Sequence, residues 1–137
     1  MQRKFSRNLD EIANIVALTE EFFAREKLDP TLRPIVDLCV EELFVNMVTY
    51  NLETAEDILI EMKARHPGIE VSLTDFDVER FDPSELAPVD INAPLENREP
   101  GGLGLFLVMK MADSIHYEYR DRVSRITFFA DRKTDDV

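Results

Sequence analysis

The 137-residue sequence predicts an α/β fold, a two-layer sandwich in which a mainly antiparallel mixed sheet is covered on one face by three helices. Two observations carry this expectation. Segments of helical periodicity come as a pair near the N-terminus and once more near residue 105, whereas strand-like segments come in consecutive pairs. Strands that follow one another without an intervening helix pair as antiparallel hairpins, which excludes the alternating order of a doubly wound nucleotide fold.

The stretch KFSRN at 4–8 is short and is compatible with a first edge strand. From Leu9 the apolar residues Ile12, Ile15, Val16, Leu18, Phe22 and Phe23 recur at helical spacing to about Lys27, with Asn8 or Asp10 available as the cap. Asp29 and Pro30 end that pattern, and Thr31 with Pro34 opens a second helix that continues to about Tyr50. ILIEMKA from Ile58 and IEVSLTDF from Ile69 are joined by a turn at His66, Pro67 and Gly68, and form a hairpin. In the second of them Ile69, Val71 and Leu73 alternate with Glu70, Ser72 and Thr74, the period of a strand with one buried face. Residues 77–100 carry four prolines and many acids, and a loop of that length in a compact domain is functional or disordered. GGLGLFLVMKMAD then reads as a glycine-rich entry into a buried helix from about Leu103 to Ala112. IHYEYR and RITFFA close the chain as two strands around a polar turn at Asp121 to Ser124. With no internal repeat, residues 1–137 are expected to form a single domain.

A net charge of −12 disfavours nucleic acid as a partner, because neutralising phosphates requires a basic face; a basic or amphiphilic protein partner fits better. No apolar run reaches 18 residues and no signal-like N-terminus is present, so the expectation is a cytoplasmic protein without membrane insertion. The single Cys39, among Leu38, Val40 and Leu43, reads as a small core residue, and one cysteine with two separated histidines does not supply a structural zinc site.

Three places can carry chemistry. In VEELFVNMVTYN (40–51), Glu42 and Asn46 lie one turn apart on an otherwise apolar helix, with Thr49 and Tyr50 following. An Asn carbonyl oxygen can fill one place around Mg2+, and a Glu one turn away can orient or deprotonate an attacking hydroxyl. The competing reading is a solvated stripe, since Asp37 and Glu41 form a second acidic line on the same helix. Asp75, at the end of a strand, can accept from an exocyclic amine such as adenine's, or face water. Gly101, Gly102 and Gly104 at the head of a helix would let backbone N–H groups approach an anion, or serve as a hinge. They match neither a P-loop nor a dinucleotide fingerprint.

Taken in order, the E-x-x-x-N helix (Glu42, Asn46), DFDVERFDP (75–83), GGLGLFLVMKMAD (101–113) and YEYRDRVSRITFF behind it closely resemble the anti-sigma-factor serine/threonine kinases of the Bergerat-fold, histidine-kinase-like ATPases. The resemblance covers nearly the whole chain. It implies an ATP- and Mg2+-dependent serine/threonine protein kinase that phosphorylates an anti-anti-sigma antagonist in a partner-switching system, holds a sigma factor when released, and forms a homodimer. By the same resemblance Asn46 binds the Mg2+, Glu42 is the catalytic base, Asp75 receives the adenine amine, and Gly101, Gly102 and Gly104 wrap the phosphates. Loop 77–100 would be the ATP lid; Lys110 falls where the family often has a basic residue, with no ligand contact implied. One position departs. The family's Asp-x-Gly is Asp75-Phe76-Asp77 here, and a side chain with a carboxylate in place of glycine would crowd the nucleotide, strain the turn by roughly 1 to 3 kcal/mol, or add negative charge beside the site. The alternative expectation is therefore a non-catalytic interaction module on the same fold with weak or lost ATP binding.

Overall fold

The computed structural model describes residues 1–80, 108 and 110–131. Among them run β1 (Gln2–Phe5), a 3-10 turn (Leu9–Glu11), α1 (Ile12–Glu26), a second 3-10 turn (Pro30–Leu32), α2 (Arg33–Tyr50), β2 (Ile58–Arg65), β3 (Gly68–Phe76), β4 (Ser114–Arg120) and β5 (Val123–Asp131). The five strands form one sheet in the order β1-β2-β3-β5-β4.

Every pairing in that sheet is antiparallel, so the mixed sheet expected from sequence is corrected to a fully antiparallel one among the described residues. The reason is local: β2–β3 and β4–β5 are hairpins, and β5 returns alongside β3 in the opposite sense, Leu73 facing Ile126. The first strand lies at 2–5 rather than 4–8, because Phe5 is the residue it can bury and Asn8 is committed to the turn that follows, where its side chain accepts from the Asp10 N–H. Two helices stand as complete elements rather than three. The third, expected from about Leu103 to Ala112, lies largely outside the described residues, of which Val108, Lys110 and Met111 are helical and the Ala112 N–H bonds the Val108 carbonyl at 3.0 Å.

Both helix starts follow the sequence signals. Asp29 accepts from the Thr31 N–H ahead of α2, with proline inside its first turn, and α1 ends on Lys27 in the left-handed conformation. The core joins Phe5, Ile58, Ile60, Met62, Val71, Leu73, Ile126 and Phe128 from one face of the sheet to Leu18 and Phe22 of α1 and Val36, Cys39, Val40, Leu43 and Phe44 of α2. Cys39 is buried there as expected, and burial pushes its thiol up to about 11.

β3 is central and buried on both faces, which corrects the one-sided reading of its alternation. On the face away from the helices Ser72 and Thr74 are also buried, small side chains among longer neighbours, and Ser72 and Thr127 share a hydrogen bond of 2.8 Å. On the helix side the line Val71, Leu73, Asp75 carries an acid to its end. That is the element that positions the site.

Candidate nucleotide site

α2 brings the first group of residues. Its helical repeat sends Val36, Val40, Leu43, Phe44 and Met47 into the core and leaves Glu42 at the margin of the buried face, half-buried, while Asn46 is buried. Asn46 donates its Nδ2 to the Glu42 carbonyl at 2.7 Å, and its Oδ1 is buried with no partner. A buried acceptor without a donor or an ion is costly, so this oxygen suits a cation or a donor brought from outside. Partial burial, and then the charge of Glu41, push the Glu42 carboxyl above its ordinary value. That direction improves a carboxylate as a proton acceptor near neutral pH. The solvated-stripe reading therefore describes Glu41, which is exposed, but not Asn46.

β3 brings the second. Asp75 is fully buried, and both of its oxygens are engaged: Arg7, from the segment after β1, pairs with Oδ1, and Asn51, just past the end of α2, donates to Oδ2 at 2.6 Å. Arg7 also donates from Nε to the Glu56 carbonyl at 2.9 Å and from Nη1 to the Met47 carbonyl at 3.1 Å. Burial lowers the affinity of Arg7 for its proton, and Glu53 and Asp57 oppose that shift. Sequence reasoning found Asp75 and missed Arg7 and Asn51. Arg7 is 68 positions away from its partner in a polar turn, where no periodicity marks it; the cue for Asn51 was its place one residue beyond the E-x-x-x-N helix.

Asp77 takes the place of the usual glycine and keeps the glycine conformation, with φ of 58°. Aspartate is among the few L-residues that visit this region readily. Its carboxylate accepts from Arg122 Nε at 2.8 Å, Arg122 Nη2 reaches its carbonyl at 3.3 Å, and the Val78 N–H bonds the Arg122 carbonyl at 3.0 Å. Tyr119 donates to the Val78 carbonyl at 2.8 Å, and Val78 is buried. The negative charge expected to stand beside the site is thus matched by a guanidinium on the β4–β5 turn. That turn is built from Asp121 and Arg122, both with positive φ (53° and 62°), the two-residue form that suits a twisted hairpin.

Gly101, Gly102, Gly104 and loop residues 81–100 lie outside the described residues. Lys110 is described and exposed on the third helical segment.

A profile of the histidine kinase-like ATPase domain matches residues 5–129. The chain belongs to this family. Within the histidine kinase-like ATPases it is 27% identical over 109 residues to the serine/threonine-protein kinase BtrW of Bordetella bronchiseptica, covering 79% of this chain and 77% of that one. It is 29% identical over 111 residues to the serine-protein kinase RsbW of Halalkalibacterium halodurans, covering 77% and 67%. In fold it is similar to a crystal structure of the RsbU and RsbW domains of a Mycobacterium tuberculosis protein, with a TM-score of 0.66 at 11% identity over 94% of this chain. The chain spans 31% of that longer protein. The histidine kinase-like ATPase fold and kinase kinship follow from these matches; among the described residues no helix is long and apolar enough to cross a membrane.

Proposed function

We propose that this chain is an ATP-dependent serine/threonine protein kinase of the anti-sigma type, which phosphorylates an anti-anti-sigma antagonist and, once freed of it, holds a sigma factor. The observation that carries the reading is the pairing on α2 of a buried, unpartnered Asn46 Oδ1 with a Glu42 whose carboxyl is pushed up one turn away.

The donor set fits Mg2+ and a purine nucleotide. Asn46 Oδ1 would hold the metal, and bound Mg2+ supplies charge neutralisation at the phosphate oxygens. Asp75, paired with Arg7, offers acceptor capacity to an exocyclic amine. Glu42 takes the proton of the attacking serine or threonine hydroxyl as its oxygen bonds to the γ-phosphorus and the bond to the ADP oxygen breaks. Gly101, Gly102 and Gly104 belong to this reading as the phosphate-wrapping residues, on the resemblance alone.

One observation favours a second reading, a non-catalytic module: Asp77 stands where glycine is usual. Its retained left-handed backbone and its pairing with Arg122 support the kinase reading instead. The test is incubation with Mg-ATP and the cognate antagonist domain. Phosphate transfer is expected in the wild type and absent in Glu42→Ala; transfer that survives the substitution removes Glu42 from its role, and calorimetry showing no ATP binding favours the module.

A further inference from the structure

Arg7 is not among the residues on which the resemblance was drawn, yet it is among the most constrained charged side chains described. Its side chain is 11% exposed, and three of its nitrogens are spent on three different segments: Nε on the Glu56 carbonyl before β2, Nη1 on the Met47 carbonyl of α2, Nη2 on Asp75 of β3. Met47 follows Asn46 directly, and its carbonyl also accepts the Asn51 N–H at 3.1 Å, while the Asn51 side chain closes on the other oxygen of Asp75. One guanidinium therefore ties the helix turn that carries Asn46 to the strand end that carries Asp75.

We propose that Arg7 is a positioning and base-specificity residue: it holds Asp75 ionised and oriented, so that the buried carboxylate accepts from a 6-amino purine and rejects a 6-oxo purine. This rests on the nucleotide-binding reading above. The physical argument is one of desolvation. A fully buried carboxylate with only an amide donor would favour its protonated form, and a protonated carboxyl can donate to a 6-oxo group as well as accept from an amine. The guanidinium keeps the group acceptor-only, which makes a 6-oxo oxygen facing it repulsive. Arg7 is the cation paired with Asp75, and Glu53 and Asp57 act on Arg7 in turn, so the pair sits in a locally acidic setting. Anchoring to two backbone carbonyls fixes the guanidinium, as a strut rather than a side chain that swings.

The experiment measures Mg-ATP and Mg-ITP affinities of the full chain by calorimetry for the wild type and Arg7→Gln, with circular dichroism confirming the fold. The expected result is an ATP-over-ITP preference in the wild type that falls by about tenfold in Arg7→Gln, the size of one charge-assisted hydrogen bond, mainly through weaker ATP binding. An unchanged ratio, whether both affinities hold or both fall together, overturns the proposal, because a purely structural role weakens both nucleotides alike. Tighter ATP binding by Arg7→Gln also overturns it, since Arg7 would then compete with the base. If the wild type binds neither nucleotide, the nucleotide reading itself fails and this inference with it. Should Arg7→Gln not fold, proton exchange of the Arg7 guanidinium by NMR in the wild type decides: protection that persists with Mg-ATP supports a strut, and protection lost on adding Mg-ATP refutes it.

Discussion

Asn46 donates its side-chain amide to the backbone carbonyl of Glu42 at 2.7 Å, and the same contact turns its other atom, Oδ1, into a buried acceptor that nothing in the described protein satisfies. The bond fixes which end of the amide faces away from the helix. Asn46→Ala removes the orphaned oxygen together with one neutral hydrogen bond, so the fold should lose no more than about 1 kcal/mol. Mg2+-dependent nucleotide affinity should fall by about tenfold or more. Calorimetry with and without Mg2+ checks it, and an unchanged Mg2+ increment would remove Asn46 as the metal residue.

As the proposed base, Glu42 should set a pH dependence. A base works deprotonated, and burial with the neighbouring Glu41 raises the Glu42 carboxyl above 4.5, so turnover should fall as pH drops through a midpoint displaced upward from that value. Glu41→Gln removes the second cause of the shift and should move the acidic limb toward lower pH, leaving the plateau in place. A kcat profile for both proteins reads this directly; a limb that stays put in Glu41→Gln would point to a different base.

Asp77→Gly tests the departure from the family pattern. Glycine relieves the cost of a left-handed L-residue, about 1 kcal/mol, and loses an exposed ion pair with Arg122 of the kind that contributes little. Stability should therefore change only slightly. Because the Asp77 carboxylate is already matched, ATP affinity should shift by less than about threefold. Recovery of binding from an undetectable level would instead support the module reading.

Gly68 opens β3 with its backbone against the chain of β5. A Cβ there would run into the Ala130 carbonyl oxygen and the Asp131 backbone, neither of which is a flexible side-chain end. Gly68→Ala should destabilise the protein by about 1 to 3 kcal/mol or more, measured as a lower denaturant midpoint. The proposed nucleotide residue of this strand, Asp75, lies at its other end, so affinity in the folded fraction should be preserved.

What the sequence made legible were relations between residues close along the chain. The spacing of Glu42 and Asn46, the alternation that leads through Leu73 to Asp75, and the hairpins on either side of the long loop are all set by helical or strand repeats, and the structure has them. What stayed hidden depends on the return of distant segments. The ion pair of Arg7 with Asp75, the grip of Asn51 on the same carboxylate and the match of Arg122 to Asp77 exist only because β1 lies beside β2 and β5 beside β3. The burial of Ser72 and Thr74 is of the same kind, since small side chains become covered only once their cross-strand neighbours are known. The short β1 begins two residues and ends three residues earlier than expected, because four residues with one buried side chain give almost no alternation to read.

Cys39 gives the molecule its own reporter. The thiol sits with no exposure on α2, two turns before Asn46, and its high pKa leaves almost no thiolate while the core stays closed. A thiol-reactive probe would therefore label the chain at a rate set by the population in which α2 has come away from the sheet, converting one covalent event into a clock for opening. Any ligand that grips Asn46 should slow that clock in proportion to how tightly it binds.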